Sequence, residues 1–240
     1  MSEEDDRTAR LDRIGELTEM IANQDDTASR RAGNAARAVI EQLVATTAPD
    51  DVLDTVAVEL RRVAEALDGY PRGRSYAFSE TSVAGGEMGG DPGGFFDNSP
   101  VAGLSNPLAP PLRMRIEDNK VKADIRWSSQ YEGPPGCVHG GYIAAAFDDL
   151  LGLAQDLGGM PGMTGTLTIK YRRPTPLHAD HHFVGQFDSR SGRKSYTSGA
   201  LYDAEDNLLA EAEGLFISVD LAKMAVLANE RDRQNAENAE

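Results

Sequence analysis

Cysteine is almost missing from this 240-residue chain: Cys137 stands alone, so no intrachain disulfide can form. No apolar run approaches the length of a membrane-spanning helix. Basic charge is also short, with 24 Lys and Arg against 39 Asp and Glu and a formal net charge of −15. A chain of that sign repels phosphate backbones and anionic lipid, which argues against nucleic acid as a partner. The opening residues, "MSEEDDRTAR", are acidic and polar, the opposite of a signal peptide. There is no glycine-rich nucleotide loop of the GxxxxGK(S/T) kind, no zinc-ligand spacing and no internal repeat. Together these absences predict a cytoplasmic protein without a metal or a membrane span.

What is present divides the chain. Residues 1–100 hold 20 of the 39 acidic groups but only 10 of the 24 basic ones. Three amphipathic helices are expected in residues 1–68, which form a helical N-terminal extension. Their apolar stripes are Leu11, Ile14, Leu17 and Ile21, then Ala36, Val39, Ile40, Leu43 and Val44, then Val52, Leu53, Val56, Leu60, Val63 and Leu67. The expected role is an extension that packs on the main domain, with a lid or an oligomerisation arm as the functional alternative. Residues 69–98 include "VAGGEMGGDPGG" and read as a glycine-rich linker or a draped loop. Residues 221–240 are a polar C-terminal tail.

From residue 112 the pattern alternates. "LRMRIED" and "KVKADIRW" predict two strands joined by a turn at Asp118-Asn119. Later come "MTGTLTIKYRRP", "HHFVGQFDSR", "RKSYTSGALYD" and "NLLAEAEGLFISVD", four more strand-like runs with turn-like breaks. Short turns between consecutive strands imply antiparallel pairing. Between the two groups lies one helix, from Gly141 to about Leu157, apolar on almost every side. Such a helix must be enclosed. An antiparallel sheet wrapped around it meets that demand and predicts an α+β fold.

The stretch "PPGCVHGGYIAAAFDDLLG" carries the chemistry. The first amides of a helix have no internal partner and sit at the positive end of its dipole, so the mouth at His139-Gly140-Gly141 is suited to a developing oxyanion. Glycine there lets a carbonyl come close to the backbone. An aspartate two turns further in, half-desolvated, is expected to have a raised pKa and to serve as a base. Periodicity does not choose between Asp148 and Asp149, because both lie on apolar stripes.

These motifs resemble one family. "HGG" with an acid nine residues after the histidine, together with "PVAGLSNPLAPPL", "YEGPPGCVHGG", "FDDLLG" and "GTLTIKYRRPTPL", is similar to the hotdog-fold acyl-CoA thioesterases. The likeness is to the PaaI-like enzymes and the vertebrate thioesterase-superfamily-member proteins, over residues 99–220. It implies that Asp148 is the catalytic general base or nucleophile and that Gly140 offers its N–H to the thioester carbonyl. It further implies that Thr164 helps hold the attacking water. Asp149 is left with a surface salt bridge or a helix contact at a subunit seam. His139 either polarises the carbonyl or fixes the loop by hydrogen bonding, and Gly141 joins the substrate-binding set. The family builds each site between two subunits, which implies a homodimer or a dimer of dimers acting on acyl-CoA, with no cofactor beyond the coenzyme A of the substrate. Many relatives carry Asn or Gln six residues before the histidine, where this chain has Gly133; Gln130 is a substitute candidate.

Other candidates carry less. Arg193 and Lys194, in "SGRKS", are candidate contacts for the phosphates of coenzyme A; Arg172 and Arg173 carry the same kind of charge. Cys137 reads as small packing rather than a thiol nucleophile. In "HADHH", His181 and His182 point to opposite sheet faces, which argues against metal ligation and for solvated strand-edge residues. Hydrolysis of an acyl-CoA thioester is the expected function. The alternatives are a non-catalytic acyl-CoA-binding regulatory or partner-binding protein and, last, a hotdog dehydratase.

Overall fold

The computed structural model describes residues 8, 11, 12, 15, 27–70, 97–160 and 162–218. Most of the first expected helix, most of the linker and the polar C-terminal tail lie outside the described residues. Among the described residues two full helices precede the sheet, α1 (Ala28–Ala45) and α2 (Asp50–Asp68). Thr27 caps α1, its hydroxyl accepting from the Arg30 amide at 3.2 Å. Pro49 precedes α2, and Asp50 and Asp51 place acidic charge in its first turn, where the helix dipole favours it. Helix α1 lies against a 3-10 turn at Ser129–Tyr131 and buries Gly33 and Arg37. Helix α2 was expected to pack in the same way, but it buries no residue, and Leu60, Val63 and Leu67 of its apolar stripe are exposed.

The described residues form six strands, β1 (Arg113–Glu117), β2 (Lys120–Arg126), β3 (Gly162–Tyr171), β4 (Asp180–Ser191), β5 (Lys194–Asp203) and β6 (Leu208–Ser218). They form one antiparallel sheet in the order β1-β2-β4-β5-β6-β3. The β1–β2 turn falls at Asp118 and Asn119, both left-handed with φ of 52° and 58°, the geometry a two-residue type I′ hairpin requires. Between β2 and β3 the chain forms the central helix α3 (Gly140–Asp156). The architecture is the expected α+β hotdog: a sheet wrapped around one long helix.

Phe147, Leu150 and Leu151 of α3 are fully buried against the sheet, with the Phe147 ring edge-on to Phe183 of β4 at 5.0 Å. A row of small residues brings helix and sheet together. Gly185, Gly199 and Ala212 pair across β4, β5 and β6. A β-carbon at Gly185 would lie 3.0 Å from Leu150 Cδ2, and one at Gly199 would lie 3.1 Å from Leu151 Cδ2. Strand β3 ends the sheet opposite β1, and its outer edge pairs with no other described strand. It runs antiparallel to α3: Tyr171 at its end meets Gly140, and the Gln155 side-chain amide donates to the Gly162 carbonyl at 2.8 Å.

Candidate active site

The mouth of α3 is shaped by a tight turn. Within it the Gly133 amide donates to the Cys137 carbonyl at 2.9 Å, and the Cys137 amide donates to the Pro134 carbonyl at 2.8 Å. The His139 amide donates to the Tyr131 carbonyl at 2.8 Å, which holds His139 as the N-cap. Its ring Nδ1 accepts from the Gly141 amide at 3.0 Å. A neutral imidazole that accepts at Nδ1 carries its proton on Nε2. Gly141 therefore has its N–H engaged. The Gly140 N–H has no partner among the described residues, so it is the open amide at the positive end of the helix. Its carbonyl accepts from the Tyr171 hydroxyl at 2.7 Å, and a β-carbon at 140 would lie 3.2 Å from that oxygen.

Asp148 faces β3. The Thr164 hydroxyl donates to Asp148 Oδ1 at 2.7 Å, with Thr164 exposed and Asp148 half-buried. The β3–β6 register shifts between Thr164 and Thr166. Gly165 is thus the extra residue of a β-bulge, the device by which a strand re-aims a neighbouring side chain. Asp148 lies eight residues beyond Gly140, about 12 Å along the helix axis at about 1.5 Å per residue.

Asp149 turns away from both. Its Oδ2 accepts from the Ser99 hydroxyl at 2.6 Å. Burial pushes this carboxyl up to about 6; the Ser99 hydrogen bond opposes the rise, the neighbouring Asp148 charge adds to it, and the Ala102 amide opposes it. The half-buried aspartate with a raised pKa on this helix is therefore Asp149. Its partner is the Ser99 hydroxyl rather than a cation, so the expected surface salt bridge does not form within the chain.

Gly133, where the family resemblance implies an amide side chain, has no room for one: a β-carbon would lie 2.7 Å from His139 Cα. The Gln130 side-chain oxygen accepts from the Ser128 hydroxyl at 2.8 Å. Tyr131 and Tyr142 meet edge-on at 4.9 Å beside the mouth, and burial pushes the Tyr131 phenol up to about 12.

Arg193 and Lys194 lie at the other end of the fold. The Arg193 guanidinium donates to the Ser218 carbonyl from Nε at 3.1 Å and from Nη2 at 2.7 Å. Ser218 pairs with Gly162, next to the last turn of α3. Arg172 is paired with Glu211 on the neighbouring strand. His182 stacks on Tyr202, whereas His181, expected to be solvated, is buried and burial lowers its pKa. The described residues contain no group of three or more His, Cys, Asp or Glu able to hold a metal ion. A cavity of about 300 Å³ lined by Lys170, Gln186, Tyr202 and Glu213 lies elsewhere on the sheet and shares no residue with this site.

Sequence reasoning passed over Ser99, Tyr171 and Gly165. An isolated glycine inside a strand pattern is a bulge signal and was there to find. No local signal marks Ser99 or Tyr171, because each acts through a residue far away in the chain.

No protein-family model matches the chain. The acyl-coenzyme A thioesterase THEM4 of Xenopus laevis is 37% identical to it over 91 residues, 37% of this chain and 40% of that protein. THEM4 of Bos taurus is 37% identical over 93 residues, 38% of each chain. The match thus spans about two fifths of the length of these curated relatives. A crystal structure described as a thioesterase superfamily protein is 34% identical, with a TM-score of 0.71, and the match covers 81% of this chain and 93% of that one. Residues 71–240 make up less than that share, so the match begins before residue 71.

Proposed function

The chain belongs to the thioesterase superfamily, and from that membership we propose that it hydrolyses an acyl-CoA thioester to a free carboxylic acid and coenzyme A. The observation that carries the reading is the Thr164–Asp148 pair at 2.7 Å on the open side of α3. Asp148 takes a proton from water, and Thr164 orients that carboxylate and the water beside it. The hydroxide attacks the thioester carbonyl. Negative charge develops on the carbonyl oxygen, which the Gly140 N–H and the helix dipole stabilise. Collapse of the tetrahedral intermediate breaks the C–S bond, and the proton held by Asp148 passes to the departing sulfur of coenzyme A, which restores the carboxylate. His139 serves as the cap that orients the mouth, and no metal or redox cofactor enters any step.

Gly140 and Asp148 of one chain are too far apart to act on one carbonyl: the axial separation of about 12 Å exceeds the roughly 9 Å spanned by three successive contacts of about 3 Å, from amide to carbonyl oxygen, carbonyl carbon to water and water to carboxylate. We therefore assign each site to two copies, one contributing the helix mouth and the other Asp148 with Thr164. A homodimer is then the minimum active unit. No helix among the described residues is long and apolar enough to cross a membrane.

The test is thiol release from a panel of short, long and aromatic acyl-CoAs, wild type beside Asp148→Asn, with folding and oligomer size checked. A general base of this kind contributes on the order of 100- to 10,000-fold, so the variant is expected to lose turnover on that scale. Equal turnover by the two proteins overturns the role of Asp148. Binding without turnover by the wild type on every member replaces the enzyme with an acyl-CoA-binding protein.

A further inference from the structure

The Ser99 hydroxyl has its bonding fully determined. Its oxygen accepts from the Val101 amide at 3.1 Å and the Ala102 amide at 3.2 Å. Both lone pairs are thereby used, so its proton points to Asp149 Oδ2 at 2.6 Å. Ser99 is itself held in place. The Gly103 amide donates to the Ser99 carbonyl at 3.1 Å, and a β-carbon at Gly103 would lie 2.4 Å from that oxygen. Ser105 closes the loop on Asp97, its amide donating to the Asp97 carbonyl at 2.9 Å and its hydroxyl to the carboxylate.

Helix α1 grips the same loop. Arg30 Nε donates to Asp97 Oδ1 at 2.6 Å. Arg37 Nη1 donates to the Asn106 carbonyl at 2.5 Å, and its Nη2 donates to the Leu104 carbonyl at 2.6 Å. The loop of residues 97–106 is thus a rigid block with α1 on one side and Asp149 of α3 on the other. Asp148 and Asp149 are adjacent, so α3 is tied on two flanks within one residue: to Ser99 through Asp149 and to Thr164 through Asp148.

We propose that Ser99 and Asp149 are positioning residues for hydrolysis, their hydrogen bond fixing the rotation of α3 so that the Asp148 carboxylate stands where the substrate needs it. The proposal rests on the reading of Asp148 as the general base. A rotation of about 10° moves a carboxylate at a radius of about 5–6 Å through roughly 1 Å, and a misplacement of that size can cost on the order of 100-fold in rate. Core packing by Phe147 and Leu150 limits the rotation, so the expected loss is smaller. Asp149 touches no reacting atom; it needs only an acceptor oxygen facing Ser99.

The full-length protein is assayed for acyl-CoA hydrolysis as wild type, Ser99→Ala, Asp149→Ala, Asp149→Asn and Asp148→Asn, with the folded fraction followed by circular dichroism at the assay temperature. Ser99→Ala and Asp149→Ala are expected to lower kcat about tenfold while KM stays within about twofold, the pattern of a lost transition-state alignment. Asp149→Asn, whose amide oxygen still accepts from Ser99, is expected to keep kcat within about threefold of wild type. Wild-type kcat in Ser99→Ala and Asp149→Ala overturns the proposal. So does an Asp149→Asn loss as deep as that of Asp149→Ala, or a loss that follows the folded fraction. Asp148→Asn separates the two failures: turnover surviving there removes the general base, whereas its loss beside an unimpaired Ser99→Ala removes only the positioning role.

Discussion

Two neighbouring carboxylates on α3 live in different surroundings. Both are half-buried, but Asp148 meets the exposed Thr164, whereas Asp149 meets Ser99 and its pKa is raised to about 6, chiefly by burial. A carboxyl raised in the folded state stabilises the fold where it is protonated. Below about pH 4 it is protonated in both the folded and the unfolded chain, and its contribution is fully present. As pH rises through about 6 the buried group ionises and the contribution is lost, at a cost on the order of 2–3 kcal/mol. Asp149→Asn removes this dependence. The stability of the variant relative to wild type is expected to rise between about pH 4 and pH 6 and then level off. Denaturant unfolding at several pH values reads this directly, and a difference that stays constant with pH sinks it. At this scale only part of the site was legible. Asp148 and Asp149 have equal claims in the helical pattern, and what separates them is Ser99, fifty residues earlier.

Among the elements, α1 shows most clearly what a hydrophobic pattern conceals. Its apolar stripe marked it as a helix that packs, yet the residues it buries are Gly33 and Arg37. The Arg37 guanidinium satisfies the carbonyls of Leu104 and Asn106, and burial lowers its pKa from the usual arginine value. Arg37→Met keeps the length of the side chain and leaves two carbonyls without their donor. The expected loss is on the order of 2–4 kcal/mol, measured as a shift of the urea midpoint. An unchanged midpoint shows that these bonds are replaced by solvent. Helix α2 carries the same kind of stripe and buries nothing. Periodicity reports that a face is apolar, not what covers it. The strands were more legible, because alternation and the Asp118-Asn119 turn are set by residues adjacent in the chain.

For the whole molecule, the proposed function carries a consequence: division of the active site between copies. The open Gly140 amide and the Asp148–Thr164 pair sit on the same chain but about 12 Å apart along α3. A complementation experiment tests the division. Gly140→Pro removes the N–H while suiting the first position of a helix, and His139 already has the extended backbone (φ −62°, ψ 128°) that a following proline demands. Gly140→Pro and Asp148→Asn are each expected to be inactive alone. Mixed by co-expression, they form heterodimers with one intact site, which restores about a quarter of wild-type activity in a random mixture. No recovery, with mixed dimers demonstrated, places both groups of a site on one chain.

The sequence by itself determined the elements that covalent neighbours control. These are the strand alternation, the two-residue turn, the apolar central helix and the glycine mouth with an acid two turns beyond it. From these alone follow the α+β class and the antiparallel sheet around one helix. The tertiary structure decided which aspartate meets Ser99 and which faces Thr164, which amide at the helix mouth stays open, and why residue 133 must be glycine. The physical reason is that each of these depends on a partner distant in the chain. A carboxylate's pKa is set by what desolvates it, and an amide's availability by what else accepts from it. Neither is recorded in the residues immediately beside them.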